Sequence, residues 1–233
     1  METPLRHLAM IMDGNRRWAK KQGLSFGAGY AQGGTQAIKT AMEFCLERGI
    51  SYLSLYTFSL ENFKRPQAEQ DFLFSTIVSQ GTKQLPFLKQ HQIRVRFVGD
   101  RTKFPKNVMP ICQELEKETE TFSTLQVNFL FCYGGRQEIA DAAKRIAHDV
   151  KHGLLAEDDI SDAMFERYLW TAGMPDPELI IRTSGVYRLS NFLLYQAAYS
   201  EFCFLECLWP ELTSDMLHQS VDSFLKMRRN FGV

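Results

Sequence analysis

Five cysteines are all that the 233-residue chain offers toward a disulfide framework, and they do not build one. Cys45, Cys112, Cys132, Cys203 and Cys207 are odd in number and set among apolar neighbours, which points to reduced thiols and a cytoplasmic location. An excess of one charge is also missing: 27 Lys+Arg against 27 Asp+Glu gives a formal net charge of zero. That removes the global field with which basic proteins collect nucleic acid, so no nucleic-acid partner is expected. No apolar run approaches ~18 residues, so no membrane span is expected. The run 8–12 is too short for a signal peptide, and Asp13, Arg16 and Arg17 follow it at once. There is no G-x-x-x-x-G-K-[ST] phosphate loop. Ser184 is not in a G-x-S-x-G elbow, because Arg182 stands where the first glycine belongs. No repeat, low-complexity tract or Pro/Gly/Ser linker divides the chain. A composition of 45% hydrophobic and 23% charged residues suits one globular domain over 1–233, able to bury on the order of 70% of its unfolded surface.

Short apolar, β-rich runs alternate with longer amphipathic stretches. The runs predict strands at 7–12, 52–58, 93–98, 127–132, 179–181 and 202–205. The amphipathic stretches predict helices near 35–47, 69–89, 106–121, 136–152, 162–170 and 214–229. Six strands separated by helices imply an α/β fold, a single domain with a central, mostly parallel six-stranded sheet flanked by helices. Ligands of such sheets bind outside the carboxyl ends of the strands. Four predicted strands run into polar or Gly-containing segments there: Asp13-Gly14-Asn15-Arg16-Arg17, Ser59-Leu60-Glu61-Asn62, Tyr133-Gly134-Gly135-Arg136 and Arg182-Thr183-Ser184-Gly185.

Asp13 at a strand end is a natural ligand for a hard cation such as Mg2+. Gly14 allows close backbone approach, and Arg16 and Arg17 bring forked donors that match phosphate. A capping aspartate followed by a solvated basic turn accounts for the same residues equally well. Arg182, Arg188, Ser184 and Ser190 form a second candidate anion pocket, balanced against a surface turn capped by Ser190 or Asn191. Gly27, Gly29 and Gly33 are spaced one residue too widely for a dinucleotide fingerprint. His148 and His152 share a helix face without an evident third metal ligand, and Cys203 and Cys207 read as core thiols. Asp158-Asp159-Ile160-Ser161-Asp162 fits the D-D-x-x-D pattern of the all-helical trans-type isoprenyl synthases, but a single copy reads better as an acidic helix start.

Five motifs stand in order along the chain. They are 7–15 (HLAMIMDGN), Ser59-x-Glu61-Asn62-Phe63-x-Arg65-Pro66, Tyr133-Gly134-Gly135-Arg136, 182–194 (RTSGVYRLSNFLL), and Tyr199-x-Glu201 with Leu208-Trp209-Pro210. Together they resemble the cis-prenyltransferases from about His7 to Gly232, above all the bacterial undecaprenyl diphosphate synthases. Arg16 and Phe63 are also similar to the eukaryotic dolichol-type enzymes.

The resemblance implies a transferase that condenses isopentenyl diphosphate with an allylic diphosphate such as farnesyl diphosphate. The product would be a long, undecaprenyl-type polyprenyl diphosphate for a cell-wall lipid carrier. It implies Mg2+ at Asp13, with Glu201 as second metal ligand, and places Gly14, Asn15, Arg16, Arg17 and Trp18 around the allylic diphosphate. Ser59, Leu60 and Glu61 would lie on the substrate path, with Asn62 at the proton-acceptor position and Phe63 and Arg65 beyond. Arg182, Arg188, Leu189 and Ser190 would hold the isopentenyl diphosphate. A homodimer is implied, and a peripheral membrane contact for product release is left open. Apolar residues in 72–78 and near Leu125 are candidates for the walls of a product tunnel, or simply for the core.

Three departures from the family pattern matter. Between Gly23 and Gly34 there is no Arg or His where the family has an Arg and a Gly-His pair, and the segment is one residue longer. Val186 replaces a Glu, and Asn230 a basic residue. These leave open a short-chain or irregular isoprenyl diphosphate synthase of the same fold, or a non-catalytic partner subunit.

Overall fold

All six apolar runs become strands, and every strand points the same way. In the computed structural model, which describes residues 5–25, 27, 30–31 and 35–227, these are β1 (His7–Ile11), β2 (Tyr52–Ser59), β3 (Ile93–Val98), β4 (Leu125–Tyr133), β5 (Leu179–Arg182) and β6 (Glu201–Phe204). They form one sheet in the order β3-β4-β2-β1-β5-β6. Each of its five pairings is parallel. The expectation of a mostly parallel sheet thus becomes an all-parallel one in a single α/β domain. The reason shows in β1, where all five residues are buried, as in any strand covered on both faces.

The helices are α1 (Asn15–Lys21), α2 (Thr35–Arg48), α3 (Gln67–Gln90), α4 (Met109–Glu118), α5 (Gly135–Lys151), α6 (Asp162–Glu166) and α7 (Ser214–Lys226). The expected helix 162–170 shortens to α6, after which the chain turns toward β5. Gly29, Gly33 and Asn230 lie outside the described residues. One sheet face packs against α2, α3, α4 and α7 through Phe44, Leu73, Leu115, Leu217 and their neighbours. The other is covered by the segment around Phe192, Leu193 and Ala197, with Trp170 alongside. α2 and α7 are further joined by Arg48 Nη2 donating to Asp222 Oδ1 at 2.6 Å.

His7, Ser54 and Asn128 form a paired polar group inside this core. His7, 1% exposed, places Nδ1 2.7 Å from the Pro175 carbonyl and Nε2 2.7 Å from Ser54 Oγ. Asn128 Nδ2 also donates to Ser54 Oγ at 3.2 Å. The imidazole bridges β1 and β2 to the chain entering β5, and it does so uncharged.

Burial pushes the His7 pKa down from 6.5 to about 4, against the smaller pull of the Pro175 carbonyl. The unfolded chain therefore takes up the proton first, and stability falls as pH drops from 6.5 toward 4. Between pH 7 and pH 5 this contributes a loss of about 2 kcal/mol. Asp176, pushed up to about 6 by burial and then by Glu166 and Glu178, acts in the opposite sense. The His7 share is therefore read as the difference between the native protein and His7→Gln in urea titrations at both pH values. Equal pH slopes in the two proteins would rule it out.

Candidate active site

The carboxyl ends of β1 and β5 lie side by side, with Ile11 level with Arg182. β1 connects onward to β2 on one side and β5 to β6 on the other. Connections leaving in opposite directions open a crevice at the strand ends, and Asp13 and Arg182 stand in it. Arg182 is 4% exposed. Its Nη2 donates to Asp13 Oδ2 at 2.8 Å, and its Nη1 donates to Ser190 Oγ at 2.8 Å and to the Arg188 carbonyl. The backbone of Asp13 is fixed from the same side. The Thr183 hydroxyl donates to its carbonyl at 2.7 Å and accepts from its N–H at 3.1 Å. Partial burial opposes ionisation of Asp13, but the hydrogen bond and charge of Arg182 outweigh it. The Ser184 hydroxyl, which closes no hydrogen bond of good geometry, and the Arg17 charge add to that pull. The carboxyl is held below the usual carboxylate range.

α1 begins at Gly14, whose φ of +109° lies in the left-handed region. A Cβ there would stand 2.9 Å from Leu208 Cδ2 and 3.0 Å from Leu208 Cα. Glycine is thus required both by conformation and by the close approach of 208, in the segment that follows β6. Arg17 Nη1 donates to the Ser184 carbonyl at 3.1 Å, tying α1 to the strand-end loop of β5. Arg16 pairs with Glu69 Oε2, and Arg65 Nη1 donates to Glu69 Oε1 at 2.8 Å. Glu69, almost fully buried on α3, therefore orients both Arg16, expected at the allylic diphosphate, and Arg65, expected beyond the substrate path. Only its place in the fold reveals this, since in the sequence it looks like a helix-start acid.

Arg188, Ser190 and Arg182 form the second cluster, with Arg188 Nε 3.3 Å from Ser190 Oγ. The loop carrying them is strained: Ser184, Ser190, Asn191 and Leu193 all have positive φ. Such strain persists where surroundings over-determine it, and it marks functional loops. From β2, Ser59 and Asn62 reach the same crevice. Ser59 N–H donates to Asn62 Oδ1 at 3.2 Å, closing the short helical turn Leu60–Lys64. A neutral amide is a hydrogen-bond partner rather than a titrating base, so its geometry here is that of a turn-holding residue at the cavity edge.

These residues enclose a polar cavity of about 460 Å³. Asp13, Gly14, Asn15, Arg16, Arg17, Ser59, Asn62, Arg65, Arg182, Arg188 and Ser190, all anticipated from the sequence, line it. Tyr30, Tyr56 and Thr57, also on its wall, were not anticipated. Thr57 also lines a small apolar cavity of about 90 Å³ and a third of about 140 Å³ between the sheet, α2 and α3. The three share walls, so a polar chamber adjoins an apolar one. Leu73 and Ile77 of the anticipated tunnel stretch do line the apolar part, whereas Phe74 and Leu125 are core.

The remaining candidates stand elsewhere. Trp18 is half-buried on α1 and does not line the cavity. Leu60 and Phe63 pack on the core, Phe63 with its ring 5.0 Å from Phe58. Leu189 packs on the opposite core, and Glu61 is exposed and accepts from Asn191. Glu201 opens β6 level with Leu179 and Leu8, five residues short of Asp13 along the sheet. That is roughly 15 Å of extended chain, so one copy of the chain does not bring the two carboxylates together. Among the described residues no group of three His, Cys, Asp or Glu gathers to hold a cation alone. Mg2+, however, commonly takes one or two carboxylates and completes its shell with water and substrate phosphates. An ionised Asp13, 32% exposed and ringed by arginines, fits an ion held jointly with a diphosphate. Asp158, Asp159 and Asp162 are exposed, and Ser161 caps α6, so the D-D-x-x-D match is a helix start.

Gly14→Ala is expected to cost about 2 kcal/mol or more, from left-handed strain and the contact with Leu208. In urea unfolding, adding Leu208→Ala should recover only the part of the cost due to the 2.9 Å contact with Cδ2, leaving the 3.0 Å approach of the 208 backbone and the conformational cost. A Gly14→Ala protein as stable as the native one would refute this account of the turn.

The Prenyltransf family model, of undecaprenyl diphosphate synthases, matches residues 11–232. A Xanthomonas axonopodis pv. citri protein is 40% identical over 228 residues, 98% of this chain and 88% of its own. It is named ditrans,polycis-undecaprenyl-diphosphate synthase ((2E,6E)-farnesyl-diphosphate specific). Among solved structures, lavandulyl diphosphate synthase from Lavandula x intermedia, in complex with dimethylallyl diphosphate, superposes with a TM-score of 0.94. It has 32% identity, over 98% of each chain. A probable undecaprenyl diphosphate synthase from Campylobacter jejuni superposes with a TM-score of 0.80 at 33% identity, over 99% of this chain and 100% of its own.

Proposed function

The chain belongs to the undecaprenyl diphosphate synthase family of isoprenyl transferases, and from that premise we propose that it elongates an allylic diphosphate with isopentenyl diphosphate in the cis sense. The observation that carries this reading is the cavity itself. Two arginine clusters converge on one ionised carboxylate in a polar chamber whose wall is shared with apolar space. That is the shape required by a charged head group with a hydrocarbon tail.

In this reading Arg16, Arg17, Arg65 and the turn at Gly14 hold the allylic diphosphate, and Arg182, Arg188 and Ser190 hold the isopentenyl diphosphate. Asp13, with the allylic diphosphate, would hold Mg2+, which would supply charge neutralisation for the departing pyrophosphate. The arginines aim preorganised donors at the oxygen on which charge develops as the allylic C1–O bond breaks; one such donor is typically worth about 3 kcal/mol. The new C–C bond joins that C1 to the terminal carbon of isopentenyl diphosphate, and transfer of the adjacent C2 proton to the departing pyrophosphate completes the step. Asn62 positions the Ser59 turn beside the reacting carbons. Leu73, Ile77 and Ile38 wall the space into which the growing chain passes. Farnesyl diphosphate as primer and a long-chain product complete the reading, which the relative's name supports; a peripheral membrane contact for product release is part of the same proposal.

A shorter or irregular product is the second reading, favoured by the TM-score of 0.94 to lavandulyl diphosphate synthase and by the missing Arg and His between Gly23 and Gly34. Incubation with labelled isopentenyl diphosphate, Mg2+ and either farnesyl or dimethylallyl diphosphate, followed by sizing of products, separates the two. Long products from farnesyl diphosphate are expected. They should fall at least 100-fold in Asp13→Ala and stay unchanged in Asp158→Ala. Incorporation with neither primer would refute the assignment.

A homodimer is part of the same proposal. Among the described residues β6 is an edge strand, paired with β5 on one side only; beside it Tyr187 (69% exposed), Tyr199 (73%) and Phe202 (39%) present apolar area, and Phe202 stacks with Phe204 at 6.2 Å. Such an edge needs a cover. Sedimentation is expected to show a dimer for the native chain and a shift toward monomer for Phe202→Lys. A dimer undiminished in Phe202→Lys would move the interface elsewhere.

A further inference from the structure

Asn191 follows Ser190 in the strained clamp loop and does not line the cavity, yet it makes hydrogen bonds in three directions. Its Oδ1 accepts from the Arg136 N–H at 2.8 Å, and its carbonyl accepts from the Gly135 N–H at 2.8 Å. Both donors belong to the first turn of α5, whose N–H groups have no partner within the helix. A residue more than fifty positions away therefore caps that helix. Its Nδ2 donates to Gln137 Oε1 at 3.0 Å and, across the crevice, to Glu61 Oε1 at 2.8 Å. Glu61 sits on the turn after β2, between Ser59 and Asn62.

The surroundings are built to this contact. A Cβ on Gly134 would stand 2.7 Å from Asn191 Nδ2, and one on Gly135 2.9 Å from Leu194 Cγ. The glycine pair is what lets the loop dock. The φ of Asn191, +68°, follows a φ of +52° at Ser190, a left-handed pair that asparagine tolerates better than most residues. One residue on, Phe192 is fully buried and its ring stacks on Tyr56 at 4.8 Å. The Tyr56 hydroxyl returns a bond to the Ser190 carbonyl at 3.3 Å.

We propose that Asn191 is a positioning residue that locks the Arg182/Arg188/Ser190 clamp to the Glu61 turn and to the start of α5, and so sets the affinity of the pocket for isopentenyl diphosphate without touching it. This rests on the functional reading above. The lock has a polarity, an amide N–H on 191 and a carboxylate on 61, and that polarity can be reversed.

Asn191→Asp keeps an acceptor for the Arg136 N–H but sets one carboxylate against another. It is expected to raise KM for isopentenyl diphosphate about tenfold, with KM for the allylic primer and kcat changed less than threefold. Glu61→Gln in the same chain restores a donor–acceptor pair with the roles exchanged. The double variant is expected to return to within threefold of Glu61→Gln alone, because the amide on 61 now donates to the carboxylate on 191. A structural role alone would give losses that multiply, and that result would overturn the proposal, as would an Asn191→Asp protein with native KM. Circular dichroism and thermal melting check folding of each variant. Should Asn191→Asp not fold, Glu61→Ala removes the tie from the other side and must also raise that KM; an unchanged value would overturn the proposal. If the native protein incorporates no isopentenyl diphosphate, the functional reading fails on its own. Calorimetric binding of inorganic pyrophosphate still tests the lock, with about tenfold weaker binding expected in Asn191→Asp and rescue in the double variant. Equal binding in native and Asn191→Asp proteins would overturn it.

Discussion

The ion pair between Asp13 and Arg182 is the constraint around which the strand-end region is arranged. It joins the carboxyl ends of two adjacent parallel strands at 2.8 Å, with the arginine almost wholly removed from water. A buried pair of this kind contributes little net stability, because desolvation offsets attraction, but losing either partner leaves an uncompensated charge. Its value is geometric. The pair keeps the carboxylate ionised and leaves the other guanidinium nitrogen to hold Ser190, so the clamp loop and the strand-end acid share one support. Trp209 N–H, bonded to the Asp13 carbonyl at 3.0 Å, brings in the segment after β6 as well.

Neutral net charge is a sum over segregated patches. Arginines from α1, from the turn after β2 and from the loop after β5 meet at one cavity. Acids gather elsewhere, at 114–120 and 157–162. The cavity's field is therefore local, which suits small polyanions and gives no extended track for a nucleic acid. Glu69 has the converse duty. Placed between Arg16 and Arg65, it keeps two like charges close together and oriented.

Backbone strain is concentrated where the chain must turn tightly around that cavity. Left-handed conformations at Ser184, Ser190, Asn191 and Leu193 each cost on the order of 1–3 kcal/mol. The opposing contributions are visible nearby: Phe192 and Leu193 are fully buried, and Asn191 bonds to α5 and Glu61. The glycines of the Tyr133-Gly134-Gly135-Arg136 motif belong to the same arrangement, since side chains there would strike the docked loop.

Much of this was legible in the sequence. Apolar runs broken by amphipathic stretches are read locally, so six strands and the helices between them follow from period and composition alone. The strand-end rule then pointed to Asp13, Arg16, Arg17, Arg182 and Arg188 because residues that follow a parallel strand lie on the ligand side in any such sheet. That Glu201 precedes its strand, away from the strand ends that carry Asp13, was legible too. Pairing order and the all-parallel direction of β6 were not legible, because register depends on contacts between segments far apart in the chain. The same holds for Glu69, Thr57 and Asn191. Each looks like a helix-start acid, a strand hydroxyl or a turn amide until the fold brings two arginines, a cavity wall or a helix start against it. Local patterning determined which elements form and what their ends carry. Only tertiary packing decided which side chains meet there, since burial, charge pairing and strain are properties of neighbours in space.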